Sequence, residues 1–169
     1  MIDRVVQGFR TALRQLRECD RHLLDFDVGE RSITHRLGLY LQPLFPEWDV
    51  DCEYNRNGHD PKTVILPDRS DERLQRQTST YPDIIIHRRG SNADNLLIIE
   101  AKKTRCSPRA HDFDRQKVEA YARDLNYQFG ILVKIPTRQH RREAFHCRLY
   151  CNGNWTNLDA REERNNVDA

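Results

Sequence analysis

The sequence lacks several features that would assign it to a well-marked class of protein. No apolar run approaches the roughly 18 residues that a membrane-spanning helix needs, and the first residues alternate charged with apolar side chains, without the apolar centre of a signal peptide. Neither GxxxxGK[ST] nor GxGxxG occurs, which argues against P-loop and Rossmann nucleotide-binding domains. These absences predict a cytoplasmic protein without a membrane partner.

Cysteine is too sparsely arranged to form a recognisable framework. The five cysteines are odd in number, scattered, and contain no C-x-x-C pair: Cys19, Cys52, Cys106, Cys147 and Cys151. A disulfide scaffold needs paired cysteines, and a structural zinc site needs clustered thiolates or imidazoles. The sequence therefore predicts neither a disulfide framework nor a zinc site.

The sequence has no large excess of charge of one sign. The 28 Lys and Arg residues oppose 26 Asp and Glu residues, and the net charge of +2 gives no sign of a nucleic-acid partner. With 32% charged and 37% hydrophobic residues, a chain of 169 residues still has enough aliphatic side chains for one core. We therefore expect a single domain over residues 1–169.

Apolar residues at helical spacing predict three helices. The first covers residues 3–17 and the third covers residues 110–125, each with an apolar stripe along one side. The second is expected to begin near Asp27, a suitable N-cap residue, and to run to about Leu44, where Pro43 and Pro46 end it.

Between and after these helices the apolar pattern is typical of strands. Strands are predicted at residues 50–54, 83–87, 96–101, 129–135 and 145–151, with a short one at 62–66 inside an otherwise irregular stretch over 55–80. The first three main strands can form an antiparallel meander. Because the third helix allows a crossover, the next strand can pair in parallel. The expected fold class is α/β, with a central mixed β-sheet flanked by helices.

Two carboxylates and an ammonium group are expected to meet at one edge of this sheet. Positions i and i+2 of a strand share a face, so Glu100 and Lys102 point the same way. Asp83 begins the neighbouring strand after Pro82, and an antiparallel hairpin folds it back towards Glu100. Adjacent carboxylates repel unless a proton or a cation lies between them. A hard divalent ion such as Mg²⁺ would separate them and support hydrolysis of a phosphodiester.

A plainer interpretation treats the same residues as structural. Asp83 would then be a turn residue at a strand entry, and Glu100 with Lys102 would form a surface ion pair. The apolar runs IIIH and LLII argue against this interpretation, because they predict that both strands are buried. His87, which shares the strand face of Asp83, is interpreted as structural.

The segments YPDIIIH and LLIIEAKK carry a motif that resembles that of the PD-(D/E)xK nuclease superfamily, which has the restriction-endonuclease-like fold. The defining positions are Pro82, Asp83, Glu100 and Lys102. The family core, a helix, three antiparallel strands, a helix and a further strand, matches residues 28–135. Residues 1–27 would be an N-terminal helical extension, 136–158 an additional strand region and 159–169 a frayed tail.

This resemblance implies roles for individual residues. Asp83 and Glu100 are expected to bind Mg²⁺ or Mn²⁺ and to be catalytic, with Lys102 as a further catalytic residue and the Ala101 backbone carbonyl as a further metal ligand. Family members often carry an acidic residue on the preceding helix and a polar residue on the following helix. Glu30 fits the first description. Gln116 is the best match to the second description, and Lys117 is the next best.

The resemblance also implies the activity, which is hydrolysis of nucleic acid by a metal-dependent phosphodiesterase, with a DNA endonuclease as the preferred interpretation. Lys103, Arg105 and Arg109 flank the motif and are expected to contact the nucleic-acid backbone. One alternative is a catalytically silent nucleic-acid-binding module on the same fold. Another is a nuclease subunit of a larger defence or mobile-element complex. RNA as substrate, exonucleolytic cleavage and a homodimer stay open.

Overall fold

The computed structural model describes residues 1–57, 60–68, 74–91, 93–105 and 107–158, which form four α-helices, two 3₁₀ turns and ten strands. The helices are α1 (Ile2–Cys19), α2 (Arg21–Asp25), α3 (Glu30–Leu41) and α4 (Pro108–Leu125), and the 3₁₀ turns are Gln42–Leu44 and Arg138–His140. The strands are β1 (Asp49–Cys52), β2 (Arg56–Asn57), β3 (Asp60–Pro61), β4 (Thr63–Pro67), β5 (Gln75–Ser79), β6 (Ile84–His87), β7 (Leu97–Lys103), β8 (Phe129–Ile135), β9 (His146–Cys151) and β10 (Asn154–Asn157).

Six strands form the central sheet, in the order β1-β6-β7-β8-β9-β10. β7 and β8 pair in parallel, and every other neighbouring pair in this sheet is antiparallel. The parallel pair requires a crossover, which α4 provides. The expected α/β class with a mixed central sheet, an antiparallel meander and then a parallel strand, is therefore confirmed.

Each face of the sheet packs against a different layer. Ile84, Ile86, Leu97 and Ile99 pack on the α1 and α3 side, while Ile85, Ile98 and Leu132 pack on the side of α4 and the β4–β5 hairpin. Because successive strand residues point to opposite faces, the continuous apolar runs of β6 and β7 serve both layers. Burying each such aliphatic side chain contributes about 1.5–3 kcal/mol.

The helix boundaries agree with the sequence pattern except at α3. α1 buries the expected stripe of Val5, Val6, Phe9, Leu13 and Leu16. α3, however, begins at Glu30 with Gly29 as its N-cap, so the prediction that Asp27 caps this helix is wrong. Asp27 has a left-handed backbone with a φ of 55°, and its carboxylate is held by other partners. α3 also ends earlier than expected, at Leu41, and the following residues Gln42–Leu44 form a 3₁₀ turn.

Several elements carry no clear apolar signal and were not predicted. β5 has the sequence QRQTS and is largely exposed, but it pairs with β4 in register, so residues 55–80 are not wholly irregular. The short helix α2 and the last strand β10 are likewise additional. The tail predicted at 159–169 lies outside the described residues.

Gly130 in β8 lets α4 approach the sheet closely. A Cβ atom at this position would clash with Val118 Cγ1 on α4. The absence of a side chain therefore fixes the distance between α4 and β8.

Among the described residues, no helix is both long and apolar enough to cross a membrane.

Candidate active site

Asp83 lies just before β6, at the end of its pairing with β7. The last paired residues are Ile84 and Ile99, so the chain places Asp83 beside Glu100. Asp83 Oδ2 accepts a hydrogen bond from the Ala101 amide at 2.8 Å. The Asp83 carboxylate thus takes the place of the next backbone hydrogen bond between β6 and β7. The structure brings Asp83 and Glu100 together, as predicted from the antiparallel hairpin.

The backbone polar groups of Ala101 point towards Asp83. Within a strand, the N–H and C=O groups of one residue point to the same neighbour. Because the Ala101 amide points to Asp83, its carbonyl also points away from β8 and towards the Asp83 side of β7. This orientation is compatible with the predicted role of that carbonyl as a metal ligand.

Glu100 is the most unusual group of the site. Its side chain is 0% exposed, and among the described residues neither carboxylate oxygen has a well-aligned hydrogen-bond donor. Lys117 Nζ lies 2.7 Å from Oε2 as an ion-pair contact. Burial raises the pKa of Glu100 to about 8, with Asp83 and Asp114 adding to the increase and Lys117 opposing it. Glu100 is therefore a buried acid that is short of positive charge.

Lys102 projects into a ring of carboxylates. Its Nζ lies 3.4 Å from Glu30 Oε2 and 3.7 Å from Asp114 Oδ2. Burial alone would lower the pKa of Lys102, but Asp83, Asp114 and Glu30 together raise it above its usual value. Lys102 therefore carries a positive charge at neutral pH. It can donate hydrogen bonds and stabilise negative charge, but it is a poor proton acceptor.

Asp114 belongs to the site although its role was not predicted. It is 4% exposed on α4, and burial raises its pKa despite the neighbouring Lys102 and Lys117. The sequence does contain a signal for it. Asp114 lies four residues before Val118 and seven before Tyr121, on the stripe that faces the sheet, where an acidic residue is otherwise out of place.

On the same helix, Lys117 rather than Gln116 contacts Glu100. The Gln116 amide donates to Asp112 on its own helix at 3.0 Å. Lys117 Nζ instead reaches both Glu100 and the carbonyl oxygen of Tyr81, the latter at 3.1 Å. One residue along a helix rotates a side chain by about 100°, which is enough to separate a site residue from an exposed one.

Glu30 approaches the site from the opposite layer. As the first residue of α3, it accepts a hydrogen bond from the Lys103 amide at 3.1 Å and contacts Lys102. Its position in the first helical turn is also favourable for a carboxylate, because the helix dipole is positive there. The structure therefore places Glu30 next to the catalytic candidates, at the end of β7.

The three predicted backbone-binding residues have different surroundings. Lys103 Nζ lies 2.9 Å from Asp27 Oδ1, and Asp27 also accepts a hydrogen bond from Thr137. These contacts lower the pKa of Asp27, with the Lys103 hydrogen bond as the largest cause. Lys103 is thus already paired, whereas Arg105 and Arg109 are exposed beyond the end of β7 and in the first turn of α4.

The donor set suits a divalent cation of the magnesium type only in part. Among the described residues, no group of three or more His, Cys, Asp or Glu side chains is close enough together to hold a metal ion. Mg²⁺ commonly uses one or two carboxylates, with waters and substrate phosphate as its other ligands. Asp83, Glu100 and the Ala101 carbonyl fit that description. Neither Glu100 oxygen has a well-aligned hydrogen-bond donor among the described residues, which provides a reason for a cation to enter.

No protein-family model, curated protein or solved structure matches the chain.

Proposed function

We propose that this protein is a metal-dependent nuclease of the PD-(D/E)xK superfamily that hydrolyses phosphodiester bonds within DNA. The observation that carries the proposal is the fully buried carboxylate of Glu100 beside Asp83 and Lys102, which pairs with Lys117 Nζ but has no well-aligned hydrogen-bond donor among the described residues. A structural ion pair would satisfy its own oxygens, because an unpaired buried charge is costly. A metal site keeps such oxygens available.

The order of elements supports a restriction-endonuclease-like core. α3 is followed by the antiparallel strands β1, β6 and β7, then by α4 and the parallel strand β8. This is the order expected from the family over residues 28–135. The β2–β5 segment is an insertion between the first and second of these strands.

The charge balance of the site supports a divalent cation. When all four carboxyl groups of the site are ionised, they exceed its two ammonium groups by two negative charges, and a bound divalent cation would favour that ionised state. The groups are Glu30, Asp83, Glu100 and Asp114 against Lys102 and Lys117. Asp83, Glu100 and the Ala101 carbonyl would hold Mg²⁺ or Mn²⁺. Such an ion, when bound, acidifies a water molecule and neutralises charge on a phosphate.

The protein's own groups have separate tasks in this proposal. Lys102, held in its charged form by the surrounding carboxylates, stabilises negative charge that develops on the phosphate during attack and orients the attacking water. Glu30 and Asp114 position the Lys102 ammonium group from two different layers. Arg105 and Arg109 contact the backbone of the nucleic acid at the site entrance.

A second function is favoured by one specific contact. Lys117 already places a positive charge 2.7 Å from Glu100, so the site contains a cation of its own. In that case the protein would bind nucleic acid without cleaving it and would need no metal.

A cleavage screen separates the two functions. The purified chain is incubated with single-stranded, duplex and branched DNA and RNA in Mg²⁺, in Mn²⁺ and in chelator. We expect metal-dependent internal cleavage of DNA, reduced at least about 100-fold in Asp83→Asn and in Lys102→Met. Asp94→Asn is the matched control, because Asp94 is exposed near the other end of the β6–β7 hairpin and pairs with Arg88. Undiminished metal-dependent cleavage in both site variants would refute the proposed site.

A further inference from the structure

A cavity of about 310 Å³ adjoins the site between α4 and the outer half of the sheet. Glu100 and Lys102 line one end of it, on β7. β8 and β9 supply Lys134 and Arg148 to the remainder of the wall, and α4 supplies His111. The cavity therefore begins at the catalytic candidates and extends away from them over two further strands.

Strand register places basic side chains in one row across this wall. Lys102 pairs with Lys134 in the parallel β7–β8 ladder, and Lys134 pairs with His146 in the antiparallel β8–β9 ladder. Paired residues share a face, and adjacent strands lie about 4.8 Å apart. The row thus leads from Lys102 outward in steps of one strand.

Arg148 lies two residues beyond His146 on β9, so it is on the same face of the sheet, opposite Leu132. Its guanidinium group lies 5.1 Å from the ring centre of Trp155, which fixes its direction through a cation–π contact. His111 faces this group from α4. Burial lowers the pKa of His111, and the charges of Lys134 and Arg148 lower it further, although Asp112 opposes them. The positive charges therefore act on the interior of the cavity.

These charges differ from the other basic groups near the site. Lys103 and Arg138 both pair with Asp27, Arg141 pairs with Asp25, and Arg115 pairs with Asp112. Within the described ranges, by contrast, neither Lys134 nor Arg148 forms an ion pair with a carboxylate. Uncompensated positive charge is thus concentrated in a concave space beside Lys102, where an anion would be attracted.

We propose that this cavity is a subsite for the phosphate of one nucleotide, the neighbour of the cleaved phosphodiester, with Lys134 and Arg148 as its main contacts. This proposal rests on the proposed nuclease function and deepens it. The volume lies at the small end of ligand sites, which fits a single nucleotide rather than a duplex. Glu100 and Asp114 at the inner end repel an anion, so the phosphate occupies the outer, basic end.

The test measures binding without metal, in chelator, on the Asp83→Asn background. Calorimetry measures the binding of four probes: inorganic phosphate, deoxyadenosine monophosphate, deoxyadenosine and a short single-stranded oligonucleotide. The phosphate-containing probes are expected to bind and deoxyadenosine is not. Comparison of free phosphate, monophosphate and oligonucleotide shows whether the site accepts an isolated anion or needs the attached sugar and chain.

Substitution identifies the contacts. The double variant Lys134→Gln with Arg148→Gln is expected to lower the affinity for deoxyadenosine monophosphate at least 10-fold. The control variant Arg14→Gln on α1 is expected to leave that affinity unchanged. If the double variant unfolds, each single variant is expected to weaken binding about threefold or more. Equal binding by the native chain and a folded variant overturns the proposal, as does absence of binding for every phosphate probe.

Cleavage kinetics keep this result separate from the nuclease proposal. In the chain with Asp83 intact, the Lys134 and Arg148 substitutions are expected to raise the KM for an oligonucleotide more than they lower kcat. Absence of phosphate binding by the Asp83→Asn chain, together with cleavage by the native chain, would contradict only the subsite. Phosphate binding with no cleavage of any substrate would contradict only the nuclease function.

Discussion

Two regions of this protein bury charged groups, and the buried carboxylates differ in the partners that they have. In the first, around Asp51 on β1, the carboxylate lies 3.0 Å from His87 and 2.8 Å from Arg89 Nε. In the second, the candidate active site, the carboxylate of Glu100 is more deeply buried but has no well-aligned donor among the described residues. The first arrangement is typical of a structural network, and the second is the arrangement on which the proposed metal site depends.

The pKa directions express the same contrast. Burial alone would raise the pKa of Asp51, but His87 and Arg89 together hold it well below its usual range. Burial raises the pKa of Glu100 to about 8, and Lys117 does not reverse that increase. A satisfied buried acid is stabilised in its charged form, whereas the Glu100 carboxylate is destabilised in that form unless more positive charge arrives.

Breaking the satisfied region is expected to have the largest effect. Asp51→Asn removes the acceptor of a buried histidine and an arginine, and we expect the free energy of unfolding to fall by about 3 kcal/mol. Urea denaturation at neutral pH measures the change. Asp49→Asn is the matched control on the same strand. Asp49 is only half-buried, lies 3.7 Å from Arg89 Nη1 and accepts a hydrogen bond from the Arg89 amide at 3.0 Å, which the asparagine oxygen can still accept. We expect this variant to lose less than about 1 kcal/mol of unfolding free energy. Equal losses in the two variants would remove the distinction.

Neutralising the charged groups of the candidate active site is expected to change the free energy of unfolding in the opposite direction. The double variant Glu100→Gln with Lys117→Met removes a buried acid and its partial partner together. We expect the metal-free protein to gain about 1–2 kcal/mol of stability, because a buried ion pair is often no better than neutral groups of similar size. The same denaturation experiment detects the gain. A loss as large as that of Asp51→Asn would mean that the site is a structural network after all.

A smaller effect comes from Lys62, a buried cation near the Asp51 region. It is 1% exposed, donates to the Tyr127 hydroxyl at 2.7 Å, and lies 5.6 Å from the Tyr54 ring centre. Burial lowers the pKa of Lys62 to about 8, against an opposing contribution from Asp51. Since the unfolded chain binds this proton up to pH 10.5, stability is expected to rise above pH 8.

Stability measured at pH 7 and pH 9 tests this prediction. The expected increase is about 1 kcal/mol in the native chain. It should disappear in Lys62→Met, which has no titratable group at that position. An unchanged increase in this variant would show that another group is responsible.

The sequence pattern predicted the sheet and the central pair of carboxylates because both depend on strand alternation. A two-residue period assigns the face of Glu100 and Lys102, and a hairpin fixes the position of Asp83 relative to them. The sequence does not define the helix phase as closely: the pattern favours Gln116, but Lys117 contacts Glu100. Such an error of one residue is decisive on a helix.

Other features depend on tertiary contacts that no local pattern contains. Asp27 resembles an N-cap residue in sequence, but Lys103 and Thr137, distant in the chain, hold it instead. β5 is polar and exposed, and only its pairing with β4 makes it a strand. The placement of Lys62 against Tyr127 likewise joins segments 65 residues apart.

Direct measurement of metal binding tests the central claim, that the unsatisfied carboxylates form a divalent-cation site. Calorimetric titration of the native chain with Mn²⁺ is predicted to give one site, weakened at least about 10-fold in Asp83→Asn and unchanged in Asp94→Asn. Equal Mn²⁺ affinity in the native and Asp83→Asn proteins, or no binding by the native protein, would contradict the account.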